Sequence, residues 1–169
     1  MTSAMFFKRS VVFVGLVMVL EALAMSMTAA PQDGRTASPY TLRTLALPDN
    51  GTGDVSMDYI AFDPATNSLW VPGGNTGAVD VVDVATGKVR QIPNLATSQV
   101  QARGGTRVLG PSAVSIGEGV VYIGNRGGSD ACAFSARTLA RVACAHLDSR
   151  PDGVVYVAPT KEVLSLIHI

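Results

Sequence analysis

Two cysteines, Cys132 and Cys144, form the sharpest chemical pairing in this sequence. Their midpoint, residue 138, falls inside the turn 136–140 between two apolar runs. The pair is therefore expected to face each other across a hairpin, within the span a disulfide tolerates. An oxidising compartment favours that bond; the competing expectation is two buried thiols. Neither cysteine has the Cys-x-x-Cys spacing of a zinc or redox site, so no catalysis is assigned to them. Other reactive groupings fail on spacing. His146 stands two residues from Asp148 with no nucleophile nearby, and the second histidine, His168, lies at the far end. Gly110-Pro111-Ser112-Ala113-Val114 lacks the second glycine of a nucleophile elbow. Gly73, Gly74, Gly77, Gly127 and Gly128 have neither the Gly-Lys-Ser/Thr ending nor the following helix of a phosphate loop, and they read as hairpin turns.

The elements that must position any site are short strands. Asp58 to Ile92 reads DYIAFDPATNSLWVPGGNTGAVDVVDVATGKVRQI, four apolar runs separated by three turn signals. Tyr59, Ile60 and Phe62 suit a pleated, half-buried surface. The turn after them is DPATNS, where Asp63 and Asn67 can bond nearby backbone and Pro64 presets a turn angle. Leu69–Val71 is stopped by Pro72-Gly73-Gly74, Val79–Val84 by Ala85-Thr86-Gly87, and Val89–Ile92 by Pro93-Asn94. None of the runs has the length and 3.6-residue period of a helix.

The plan repeats. DYIAFDPATNSLW lies over DGVVYVAPTKEVL without a gap, and 58 to 152, 66 to 160 and 69 to 163 are each 94 positions apart. Trp70 matches Tyr122, Asp83 matches Ser135 and Thr86 matches Thr138, each 52 positions apart. First strands thus begin near 58, 112 and 152, and the longer first step implies an insertion over 93–110, carrying Arg103 and Arg107 and read as a surface loop on one rim. Steps of about 40 residues are a blade length for propellers. The fold class is all-β: a partial β-propeller of about two four-stranded antiparallel blades plus the start of a third, after an N-terminal signal helix. Complete rings have roughly four to eight blades, so an incomplete ring is expected.

The runs LWVPGGNTGAVDVVDVATGKV and VVYIGNRGGSDACAFSARTLARV resemble YVTN-type (YncE-like) β-propeller repeats of exported bacterial proteins. Trp70-Val71 and Tyr122-Ile123 stand for the second strand of that repeat, and Gly74-Asn75 and Gly124-Asn125 for its turn. Asp83 with Ala85-Thr86-Gly87-Lys88 stands for its end, where the second unit departs with Ser135 and Leu139. The resemblance covers about residues 40–163 and implies a fold more than a function, because propellers host unrelated activities.

One group of residues has a geometric reason to act together. Asp58, Ser112 and Asp152 begin the innermost strand of successive blades and should approach the channel on one rim. Arg150 precedes Asp152, while Asn75, Asn125 and Arg126 lie in the turns between second and third strands. Such positions line a ligand-facing mouth and can gather oxygen ligands for a cation; the competing expectation is that the acids cap turns. The functional expectation is an exported binding or scaffold module whose partner is a small molecule or protein. No cofactor and no catalytic residue are indicated. The alternative is a metal-dependent lactonase of the gluconolactonase type, the only reading in which a divalent cation enters.

Composition narrows these classes. The 169 residues are 47% hydrophobic and 15% charged, with 17 glycines, which suits a turn-rich globular β protein and argues against disorder. Thirteen basic residues balance thirteen acidic ones without a basic cluster, so no nucleic-acid partner is expected. Residues 1–30 read as a secretory signal peptide, with Lys8-Arg9, the apolar run Val11–Leu20 and the small-residue stretches Ala22-Leu23-Ala24 and Thr28-Ala29-Ala30. Glu21 interrupts the run short of the about 18 residues a spanning helix needs. Membrane contact is thus expected only through that segment, and the location is periplasmic or secreted. Residues 31–39 read as a linker, Tyr40–Leu47 as a leading strand, and 40–163 as the partial propeller. The last six residues, LSLIHI (164–169), resemble a translated transposase-type sequencing adapter and are expected to be non-native.

Overall fold

The computed structural model describes residues 40–167. The expected signal segment, the linker and His168 lie outside the described residues. The chain divides into two compact units, Met1–Arg43 and Thr44–Ile169. Of the first, only residues 40–43 are described, and they form no strand. All the described strands lie in the second unit.

Two four-stranded antiparallel meanders dominate it. The first joins β1 (Ala61–Asp63), β2 (Ser68–Gly73), β3 (Ala78–Asp83) and β4 (Val89–Ile92) in chain order. A two-stranded hairpin comes next, β5 (Ser98–Ala102) with β6 (Gly105–Leu109). The second meander is β7 (Pro111–Gly117), β8 (Val120–Asn125), β9 (Asp130–Ser135) and β10 (Arg141–His146), again in chain order. A last pair joins β11 (Gly153–Val157) to β12 (Glu162–Leu166). Strand starts 68, 78 and 89 in the first blade and 120, 130 and 141 in the second preserve the 52-residue offset. This is a partial β-propeller, as the repeats predict.

The turns repeat with the strands. In the first blade the Asp83 carboxylate accepts from the Thr86 amide (2.8 Å), and such donors hold its pKa below the usual value. In the second, the Ser135 hydroxyl accepts from the Thr138 amide (3.2 Å), so a serine replaces an aspartate in the same turn. Gly87 and Leu139 both take a left-handed backbone, φ 74° and 62°. That conformation costs a leucine more than a glycine, and packing of Leu139 against the core offsets it.

The core lies between the two meanders. Trp70, Val79, Val81 and Ile92 of the first blade are buried in one cluster with Val114, Val121, Ile123, Cys132 and Phe134 of the second. Fully burying a side chain of this kind contributes about 1.5–3 kcal/mol over leaving it exposed. The inner strands are also tied: the Tyr59 amide donates to the Ser112 carbonyl (3.0 Å) and the Val114 amide donates to the Tyr59 carbonyl (3.2 Å). On the far side of the second blade, Tyr156 of β11 stacks on Tyr122, centroids 5.6 Å apart and planes 9° apart. Its ring lies where a side chain on Gly117 would stand, so only glycine admits this approach.

Cys132 and Cys144 are directly opposed on β9 and β10 and form a disulfide, Cα–Cα 4.0 Å. The expected bond is present. Closing a loop of this size contributes about 3 kcal/mol in the chain-entropy account. Shifted by the 52-residue offset, Cys132 falls on Asp80, whose partner across β3 and β4 is Gln91. Gln91 donates its side-chain amide to Asp80 (2.8 Å). Asp80 is wholly buried, its second carboxylate oxygen has no partner among the described residues, and desolvation raises its pKa despite that hydrogen bond. One blade therefore links its outer strands covalently where the other uses a polar contact.

Three expectations change. The 93–110 insertion is not an irregular loop: β5 and β6 pair from Ser98↔Leu109 to Ala102↔Gly105 around Arg103-Gly104, because Gly104 and Gly105 take φ of 99° and 132°. Residues 41–49 form no strand and join no sheet among the described residues, and Leu42 is left 94% exposed. β2 does not stop before Pro72 but continues through it to Gly73. The ring nitrogen there faces the β1 side beyond Trp70, the last β2 residue in the β1 ladder, so no ladder bond is lost. The expected start of a third unit is two strands, and Leu164, Ser165 and Leu166 of the tail pair with Val155, Val154 and Gly153.

The shared position of the two cross-strand links makes a prediction. A chain carrying Asp80→Cys and Gln91→Cys should form a second disulfide on air oxidation, leaving no free thiol after denaturation without reductant. Two titratable thiols in that assay would contradict the equivalence.

Candidate functional site

The rim expected from the sequence is built by strand starts and turns from three successive sheets. Asp58 precedes β1, Arg126 follows β8, and Asp152 precedes β11. The Arg126 guanidinium joins them: one terminal nitrogen lies 3.4 Å from the Asp58 carboxylate and the other pairs with Asp152. Fixed fork geometry lets one arginine hold two carboxylates at once, which a lysine point charge does less well. The three side chains are 26%, 40% and 31% exposed, so the pairs are partly screened by water.

Backbone contacts set the arginine's position. The Arg126 amide donates to the Gly110 carbonyl (2.9 Å) at the foot of the β5–β6 hairpin. Gly110 packs against the Gly74 carbonyl so closely that a Cβ there would collide with it. The hairpin stem is thus wedged between the turns of the two blades, and Leu109 lies beside Arg126.

The other expected residues divide by role. Asn75 accepts from the Ser56 amide (2.7 Å) and donates to the Asp54 carbonyl (2.7 Å) and the Thr52 hydroxyl (3.3 Å), fastening the approach to β1. Asn125 is buried and accepts from the Gly127 amide (3.0 Å), closing the turn that carries Arg126. The buried Ser112 hydroxyl lies 3.4 Å from both the Gly124 and the Pro151 carbonyls, and links the second blade to the third. Arg150 is exposed and makes no ion pair among the described residues. It lines an open cleft of about 350 Å³ with Leu109, Arg126 and Asp152. A dimple of about 20 Å³ adjoins on the other side of Arg126, lined in part by Asp58, Ser112 and Arg107.

The structure therefore brings Asp58, Arg126, Arg150 and Asp152 to one place and gives Asn75, Asn125 and Ser112 to the backbone beneath. It adds Arg107 and Leu109. The alternation in SQVQA and TRVL around Arg103-Gly104-Gly105 is the signal that would have placed them on a hairpin. His146 ends β10, opposite Asp130, and lines neither depression beside Arg126. Among the described residues, no three His, Cys, Asp or Glu side chains converge as a metal-ligand set. The two rim acids converge on a guanidinium instead.

No protein-family model matches this chain, and no curated protein does. Solved structures do. The chain is similar to a chain of Kuenenia stuttgartiensis hydrazine synthase, with TM-score 0.50 and 17% identity over 72% of this chain and 30% of that one. Apo AztD from Citrobacter koseri matches with TM-score 0.45 and 12% identity over 66% of this chain and 27% of that one. A second Citrobacter koseri AztD structure matches with TM-score 0.46 and 13% identity over 68% and 29%. The likeness to hydrazine synthase concerns the fold alone. This chain spans 30% or less of the length of each of the three. The class that the blades define is the β-propeller.

The arginine clamp carries a stability prediction. Arg126→Gln should lower the stability to urea by about 1 kcal/mol, the scale for partly exposed pairs plus a carboxylate left without its donor. The difference from the parent chain should shrink at high salt, where exposed charges are screened. Equal urea midpoints for the two chains at low salt would contradict the clamp.

Proposed function

We propose that this chain belongs to an exported binding module of the YVTN-type (YncE-like) propeller class, acting in the periplasm or outside the cell. The rim of Asp58, Arg126, Arg150 and Asp152 faces the ligand, and Asn75, Ser112 and Asn125 hold the backbone that carries it. Export rests on the signal-like residues 1–30 and on the disulfide, a bond that persists in oxidising compartments.

The observation that carries the reading is the position of Arg126. It gathers acids from the first and third sheets beside an open cleft of about 350 Å³, within the size of small-molecule sites. Fixing both carboxylates on one guanidinium leaves them oriented before any ligand arrives, which lowers the cost of binding. Among the described residues the two rim acids are held on a guanidinium, and the reading adopted is a binding module.

Hydrogen–deuterium exchange of the full chain, with and without a panel of organic acids, sugars, lactones and divalent cations, tests the reading. A ligand should protect peptides spanning 54–58, 107–112, 124–128 and 150–153 and be recovered unchanged. Protection confined to other segments would contradict the rim assignment, and conversion of a lactone would contradict the binding module.

A further inference from the structure

We infer that this rim takes a small organic carboxylate, held between Arg107 and Arg150; the inference rests on the rim reading above. Three arginines border the two adjoining depressions: Arg107 on β6, Arg126 in the centre and Arg150 before β11. Only Arg126 is neutralised, by Asp58 and Asp152. Arg107 and Arg150 have no acidic partner and no side-chain hydrogen bond among the described residues. The ionised groups lining the two depressions are thus Arg107, Arg126 and Arg150 against Asp58 and Asp152, three positive and two negative, an excess of one positive charge.

The arrangement selects an anion by a simple argument. A guanidinium with no partner presents a planar fork of donors that matches a carboxylate in two parallel hydrogen bonds. Arg126 cannot serve, because its fork already holds two acids, so it acts as a positioning residue. The acids in turn keep the rim's positive excess small, which favours an anion of low charge over a polyanion. Leu109 lies in both depressions and supplies the apolar contact that a carbon skeleton needs and inorganic phosphate lacks. Arg103 offers an internal control. It sits in the exposed loop of the same hairpin and lines neither depression.

Amide NMR titrations of the full chain with succinate, inorganic phosphate, glucose and calcium decide the matter. Succinate is expected to shift the resonances of Arg107, Leu109, Arg126 and Arg150. Its affinity should fall about tenfold, the scale of one charge-assisted contact, in Arg150→Gln and in Arg107→Gln, and stay unchanged in Arg103→Gln. Both variants change exposed side chains, and an unchanged spectrum elsewhere verifies their folding. Succinate affinity that is equal in all three variants overturns the inference, as does phosphate binding as tightly as succinate. Glucose or calcium shifting these resonances while succinate is silent overturns the carboxylate assignment and leaves the rim reading standing. Silence of the rim to all four probes, with a ligand protecting another segment in hydrogen exchange, overturns both.

Discussion

A four-stranded blade with apolar residues on both faces cannot stand alone in water. The first blade presents Trp70, Val79, Val81 and Ile92 on one side and Val71 and Val82 on the other, all of them buried. The side toward the second blade is covered by Val114, Val121, Ile123 and Phe134, so the two sheets exist as a stack and not as separate hairpins. Every other feature of the unit depends on that demand. The inner strands must run close enough for Tyr59 to exchange hydrogen bonds with Ser112 and Val114, and the connections between blades must cross at the rim.

The rim is a by-product of stacking that carries charge. Chain entering the first strands of two sheets sets Asp58 and Asp152 on the rim, the β8–β9 turn of the blade between them sets Arg126, and one guanidinium is long and flat enough to reach both acids. Neutral turn chemistry surrounds them: Asn75 and Asn125 spend their side-chain amides on backbone. The polar residues of the rim thus separate into those that hold the fold and those left to meet a ligand. The inserted hairpin brings a further arginine and a leucine to the second group.

Much of this was legible from residue spacing, and the reasons differ by element. Strands β2 to β4 and β8 to β10 announced themselves because apolar runs and Gly-rich turns recur at a constant offset, which a stacked repeat requires. The cysteines could be paired because a hairpin of known turn fixes which residues oppose each other. The hairpin at 98–109 was hidden because its strands are short, polar and exposed, so no buried face imposed a pattern. Tyr40–Leu47 shows the converse error: an apolar composition suggested a strand, yet a strand exists only where another edge accepts its hydrogen bonds. Asp58, Arg126 and Asp152 could be named as rim residues, but not their pairing. That depends on how three sheets sit together, at separations of 68 and 26 positions. The buried Asp80–Gln91 contact went unseen because an aspartate among valines reads as an outward-facing residue until the second face is known to be covered.

Site-resolved amide exchange at Val114 tests the stacking of blades most directly. Its amide donates to Tyr59 across the blade boundary, not within its own sheet. If the blades form one cooperative stack, this amide should exchange as slowly as the ladder amides of β3 and β8. Exchange at Val114 near the rate of an unstructured peptide, with β3 and β8 still protected, would mean that each sheet folds by itself and that the shared core does not exist.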